Sequence, residues 1–234
     1  MRYEDFGPTL AAEKLAERHG IVVSAGTVRT IMIGRGLWKA GKEGQRHRAQ
    51  RERRARRGQM VQVDGSCHDW FEGRRAKAVL LGYIDDASSA FVHGLFVEGE
   101  TTEALMGATW EYARRHGLPQ SIYVDRDSIY VVNRQATVEE QLRDAQPQTQ
   151  FDRAMEELGI QMILARSPQA KGRVERLFKT LQDRLVKELR LRGISTLEEA
   201  NRYLDEEYRA AHNERFAVEP LEATDAHRPA PSEA

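Results

Sequence analysis

The sequence predicts an α/β fold, a mixed β-sheet flanked by helices in the order βββαβαβαα, preceded by a small helix-turn-helix-like segment. Three observations predict it. Residues 59–97 hold three short β-branched or apolar runs separated by turn chemistry, the pattern of a meander. After residue 101, amphipathic helical stretches alternate with short apolar runs, as in strands joined by crossover helices. Residues 9–38 carry only helical periodicity, and a strongly basic run follows them.

In chain order, Thr9 is expected to cap a first helix from Leu10 to His19, with Leu10, Ala11, Leu15 and Ala16 on one stripe and Gly20 ending it. Ser24 is expected to cap a second helix whose stripe is Val28, Ile31 and Met32. Helix, short turn and helix resemble a helix-turn-helix, whose second helix enters the major groove; on that reading Arg29, Thr30 and, further along, Arg35 face DNA. A plain helical hairpin is the alternative.

Strands follow at Gln59–Val63, Ala78–Ile84 and Ala90–Val97. Thr102 opens a helix to Arg115 with Leu105, Thr109, Trp110 and Ala113 inward, closed at His116-Gly117-Leu118-Pro119. Next come a strand at Ser121–Val124, a helix at Phe151–Leu158 closed by Gly159, and a strand at Ile160–Leu164. Ser167-Pro168 opens a helix carrying Val174, Leu177, Phe178, Leu181, Leu185 and Leu189, and Thr196 caps a last helix to about His212.

The resulting division is a helix-turn-helix-like segment at 1–41, a basic linker at 42–58, a core at 59–216 and a tail at 217–234. The core contains a polar insertion at about 128–150, too long for an ordinary connection, with one helical turn expected at Glu139–Arg143. The tail is Pro- and Ala-rich and expected to be extended or disordered.

The 234 residues are 40% hydrophobic, enough for a real core. Net charge is zero, but Lys42–Arg57 carries eight Lys or Arg against Glu43 and Glu52, so this segment is +6 and the remainder −6. Such a run is a footprint for phosphate backbones, here through Arg51, Arg53, Arg54, Arg56 and Arg57, and is read as a linker that becomes ordered on DNA. The single cysteine, Cys67, excludes a disulfide framework and a Cys-based zinc site within the chain, and His68 beside it lacks a second Cys/His pair. No apolar run reaches membrane-spanning length and the N-terminus has no signal pattern, so a soluble, cytoplasmic, nucleoid-associated protein is expected.

Three carboxylates carry the chemistry. Asp64 ends a short strand in Met60-Val-Gln-Val-Asp64, and Asp125 ends another in Ser121-Ile-Tyr-Val-Asp125. Glu175 stands near the start of a long amphipathic helix, beside its inward stripe. Two strand-end acids and one helical acid suit two divalent ions that clamp the attacking and leaving oxygens of a phosphodiester. Lys171, four residues before Glu175, and Arg173 and Arg176 add a positive rim for phosphates. A strand-end Asp taken alone is more often a turn former; three in this setting favour the catalytic reading. Asp127, Asp85 and Asp86 read as turn residues, and Trp70 and Phe71 as hairpin aromatics that either stack on a base or pack on the N-terminal helices.

The VDGS around Asp64, VDRD around Asp125, SPQAKGRVER around Glu175, DWFEGR at Asp69–Arg74, TLQDRLVKELR at Thr180–Arg190 and NERFAVEP at Asn213–Pro220 resemble the retroviral-integrase-like DDE transposases of bacterial insertion sequences, particularly the ISNCY-type group. The resemblance covers roughly residues 2–220. It implies an RNase H-like fold, a triad of Asp64, Asp125 and Glu175, a two-metal site for Mg²⁺ or Mn²⁺, and DNA partners (element ends and target) bound by a homo-oligomer in a synaptic complex. It also implies an additional N-terminal helix-turn-helix and a C-terminal β-rich domain that this sequence lacks, as in a truncated, split or decayed copy. A catalytically incomplete DNA-binding regulator and an RNase H-like nuclease are the competing expectations.

Overall fold

The computed structural model describes residues 3, 5–39, 51–132, 147–165 and 172–231. It divides into two compact units, Met1–Ala49 and Gln50–Ala234.

The smaller unit is a pair of helices, α1 (Pro8–His19) and α2 (Ala25–Gly34). Pro8, rather than a Thr9 cap, opens α1, because its fixed φ suits the first helical position; Gly7 is the N-cap and makes no side-chain bond. Gly20 closes α1 in the left-handed region, at φ 67°. Ser24 caps α2 by accepting the Thr27 N–H at 3.0 Å. Ala12, Val28 and Met32 are buried between the helices, whereas Ile31, expected on the inner stripe, is exposed.

The larger unit is built on one five-stranded sheet, β3-β2-β1-β4-β5. Strands β1 (Val61–His68), β2 (Ala78–Asp85) and β3 (Phe91–Val97) form the antiparallel meander; β4 (Ser121–Val124) and β5 (Gln161–Leu164) join parallel to β1. Helices α3 (Thr102–His116) and α4 (Gln150–Glu157) supply Leu105, Ala108, Tyr112, Phe151 and Met155 to one face, against Val61, Val63, Leu81, Tyr83, Ile122 and Val124. The other face packs Leu80, Ile84 and Phe96 against α5 (Gly172–Arg192) and the α6 (Leu197–Tyr203) to α7 (Arg209–Phe216) hairpin arm. A π-helical turn, Leu204–Tyr208, joins α6 to α7, so the single helix expected after Thr196 runs on as one interrupted rod. Thr196 and Glu199 form a reciprocal capping box at its start.

Three boundaries differ from expectation, each for a tertiary reason. Strand β1 does not stop at Asp64; pairing of Gly65–His68 with Ala78–Leu81 carries it four residues further. Thr101, not Thr102, caps α3, through the Ala104 N–H. The Pro/Ala-rich tail is extended but not free through Pro231. Val218 N–H bonds Ser88 O, Glu222 N–H bonds Ala55 O, Ala226 N–H bonds Arg57 O, and Leu118 and Arg228 exchange backbone bonds. Composition favours disorder only where no partner edge exists, and here residues 55–57 and 118 provide one. Trp70 and Phe71 are fully buried within the larger unit, against Phe96 and the α5 core, which excludes base stacking. The helical turn expected at Glu139–Arg143 and the Ser167-Pro168 helix start lie outside the described residues.

Candidate active site

Asp64 stands opposite Gly82 in the β1–β2 register, and a cross-strand pair shares one face of the sheet. That face is the one under α5. A Cβ on Gly82 would stand 2.9 Å from Phe178 Cζ, so glycine is what lets α5 lie close there. The parallel β1–β4 register pairs Val61 with Ile122 and Gln62 with Tyr123, and Asp64 and Asp125 each follow the second pair by two residues, which by the period-2 pleat carries them toward the face of Gln62 and Tyr123. Asp64 and Asp125 are half-buried at this rim.

Glu175 is exposed in the first turn of α5, beside buried Val174. That turn is fixed to β1: Val174 N–H donates to Gln62 Oε1 at 3.2 Å, and Gln62 lies two residues before Asp64 on the same face. Among the described residues no three His, Cys, Asp or Glu side chains lie close enough together to hold an ion, and residues 166–171, which lead into α5, lie outside the description. The donor set itself consists of hard carboxylate oxygens, which suits a divalent cation such as Mg²⁺.

The end of β1 has two neighbours that the sequence did not single out. Glu100 packs its carboxylate where a Cβ on Gly65 would be, on the face opposite Asp64 by the strand's alternation, so glycine there makes room for an acid. Tyr130 is buried, its hydroxyl without a hydrogen-bond partner among the described residues, and its pKa is pushed well above the usual phenol range, first by burial and then by Glu100, Tyr83, Asp64 and Asp125. Glycine at position 65 was the one legible signal; the phenol, in the polar stretch after Asp125, gave none. Asp125 Oδ1 accepts the Asp127 N–H at 2.9 Å, and Asp127 Oδ1 accepts from Ile129 N–H and Ser128 Oγ, so Asp127 shapes the turn, as expected.

Asp85 and Asp86 do shape the turn after β2, as expected, and are buried hubs besides. Asp85 accepts from Ser88 N–H and Oγ and from Gly58 N–H. Asp86, fully buried, accepts from Gln62 Nε2, Arg54 N–H, Arg173 Nη1 and Arg51 Nη2. The part of the basic linker from Arg51 to Gly58 thus makes contacts with the core; residues 42–50 lie outside the description.

Among the residues expected to meet phosphates, Arg51 and Arg173 thus hold an internal carboxylate. Burial, more than Asp86 offsets, lowers the Arg173 pKa, with Arg51, Arg53 and Arg176 adding to the effect. Arg53, Arg54, Arg57 and Arg176 are exposed, and Arg56 lies 3.6 Å from Glu222. Arg53, Arg173 and Arg176 line one shallow groove with Thr180. In the smaller unit Arg29 is exposed, while Thr30 donates its hydroxyl to Gly26 O. Lys171 lies outside the described residues. Two cavities of about 680 and 560 Å³ run along the C-terminal segment and are lined by none of Asp64, Asp125 or Glu175.

A five-stranded sheet in this order, with acids at one rim, defines the class: an RNase H-like α/β fold. A chain of the simian T-cell lymphotropic virus intasome, solved with the PP2A regulatory subunit B56 gamma, superposes with TM-score 0.51 at 18% identity over 81% of this chain and 63% of that one. In sequence, the chain is 43% identical over 228 residues to y4bF of Sinorhizobium fredii, assigned as a transposase, which covers 97% of this chain and 49% of the relative. It is 36% identical over 183 residues to the transposase of insertion sequence IS1202 from Streptococcus pneumoniae, which covers 78% of this chain and 38% of the relative. No protein-family model matches. In sequence the chain is thus similar to bacterial transposases, and in fold to a chain of a retroviral intasome. It spans about half the length of the curated relative it matches at 43% identity.

Proposed function

We propose that this chain carries the catalytic core of a DNA transposase that hydrolyses a phosphodiester at an element end and joins the freed 3′-hydroxyl to target DNA. The observation that supports it best is the register that carries Asp64 and Asp125 toward one face, with the Glu175 turn tied to the same strand by Gln62. In this reading Asp64, Asp125 and Glu175 would hold two Mg²⁺ or Mn²⁺ ions, whose chemistry would be Lewis-acid activation of the attacking oxygen and stabilisation of the leaving one. The chain's own part is positional: β1 and β4 present two carboxylates from a rigid sheet, and α5 brings the third. Arg53, Arg54, Arg56, Arg57, Arg176 and Lys171 hold the backbone phosphates, and Arg29 and Thr30 reach the grooves. The bound state is a homo-oligomer that holds two ends. No serine, cysteine or tyrosine nucleophile is required.

The test is strand transfer by the chain on duplexes with element ends, in Mg²⁺ or Mn²⁺, alone and with a full-length relative. Metal-dependent joining lost in Asp64→Asn and Glu175→Gln supports the reading. Duplex binding without any metal-dependent cleavage makes the chain a regulator. RNA–DNA hybrid cleavage without joining makes it a nuclease.

A further inference from the structure

We propose that Asp86 is a positioning residue for the same reaction, fixing the first turn of α5, and so Glu175, to the strand that carries Asp64. This rests on the proposed function, since it matters only if Glu175 completes the metal site. Asp86 follows β2 and is fully buried, and its carboxylate accepts hydrogen bonds from three separate parts of the fold. Its Oδ1 accepts Gln62 Nε2 and Arg173 Nη1, each at 2.9 Å, and also Arg51 Nη2; its Oδ2 accepts Arg54 N–H at 2.9 Å.

The acceptor character of the carboxylate decides which way the Gln62 amide turns. With Nε2 drawn to Asp86, Gln62 Oε1 faces α5, where it accepts the Val174 N–H. The Val174 N–H lies in the first described turn of α5, so Gln62 holds that turn one residue before Glu175. Arg173 makes the second tie: with Nη1 on Asp86, its Nη2 donates to Arg51 O at 2.9 Å. One buried carboxylate thus joins the basic segment, β1 and the start of α5. Ordering of Arg51–Arg54 on DNA and placement of Glu175 become a single mechanical event. Turn formation by itself asks nothing of a carboxylate with four donors, two of them guanidinium groups.

The experiment compares wild type, Asp86→Asn, Gln62→Met and Arg173→Lys, with Asp64→Asn and Glu175→Gln as references, all in the full 234-residue chain. Mn²⁺ affinity is read by electron paramagnetic resonance, alongside metal-dependent plasmid nicking, duplex affinity and melting temperature. Loss of a group that orients a ligand costs roughly 10- to 100-fold in metal affinity or rate. We expect Asp86→Asn and Gln62→Met to weaken Mn²⁺ binding on the order of tenfold and to slow nicking in parallel. Higher metal concentration should restore part of the rate, and duplex affinity should hold in Gln62→Met. A lowered melting temperature with unchanged Mn²⁺ affinity and nicking in Asp86→Asn overturns the positioning role, provided Asp64→Asn is defective. If Asp86→Asn does not fold, Gln62→Met and Arg173→Lys decide the matter by the same criterion. If Asp64→Asn and Glu175→Gln also bind Mn²⁺ as wild type does, the triad itself is wrong and this inference falls with it.

Discussion

Two pairs of acids occupy the same sheet and do opposite things. Asp85 and Asp86, at the end of β2, are buried and surrounded by donors: backbone N–H groups, Ser88, Gln62 and two arginines. Asp64 and Asp125, on β1 and just after β4, remain half-buried near a phenol whose ionisation they oppose. A buried carboxylate persists only with its donors in place, because burying an unpaired charge costs far more than any single contact returns. A half-buried carboxylate keeps contact with solvent and makes no such demand. The contrast separates acids locked into the interior from acids that solvent reaches, though both pairs look like turn residues in sequence.

The largest expected effect is on chemistry at the rim. Asp64→Asn, Asp125→Asn and Glu175→Gln should each lower metal-dependent cleavage on the order of 10³-fold, about 4 kcal/mol of transition-state stabilisation. Melting temperature should stay the same or rise, as repulsion among the rim acids is relieved. Single-turnover cleavage beside thermal denaturation checks both halves, and a variant that melts early but cleaves normally would reverse the assignment. The buried pair should behave the other way. Asp86→Ala strands Arg173 and Arg51, and losing one partner of a buried ion pair costs about 3 kcal/mol or more. Urea unfolding of that variant measures it, and a loss below about 0.5 kcal/mol, the scale of an ordinary surface change, would mean that the hub is dispensable.

Acid sensitivity should come from the buried interior rather than the rim. His93 on β3 is buried and its pKa is lowered to about 3, chiefly by burial and then by Arg115 and Arg209. His212 on α7 is lowered to about 4, by burial and then by Arg184 and Arg215. Below a pH near 6.5 the unfolded chain binds protons that the folded chain refuses, so stability is full above that pH and falls as pH drops toward 3–4. Each histidine should cost about 2 kcal/mol between pH 6.5 and 5. His93→Phe should flatten the profile of denaturant midpoint against pH, and an unchanged slope would place the sensitivity elsewhere. The smallest effect is at the tail. His227 bonds Tyr112 Oη and Asp225 at 2.5 Å each, and His227→Ala should remove about 1 kcal/mol. It should also speed proteolysis after residue 220 while leaving the rim's chemistry unchanged.

Local signals settled what local forces settle. Hydrophobic period and turn residues placed all five strands and the helices that follow them, because a strand's face and a helix's stripe are written within a few residues. The Ser24 and Thr196 caps were legible for the same reason, since a capping side chain reaches only its own first turn. The three candidate carboxylates also stood out, each beside an apolar run or stripe. Pairing between distant segments decided the rest. Only the β1–β4 register carries Asp64 and Asp125 toward one face, and only β2 carries β1 past Asp64 to His68. Asp86 looked like a turn former because its donors come from positions 51, 54, 62 and 173, and no window of sequence contains all four. The tail looked disordered because its composition cannot build a core, yet backbone bonds to Ala55, Arg57 and Leu118 depend on which edges are open and not on side-chain type. The sequence by itself determined the elements and named the acids. Tertiary structure alone decided which acids are buried with their donors and which stay at the rim, because burial and charge pairing are sums over residues far apart in the chain.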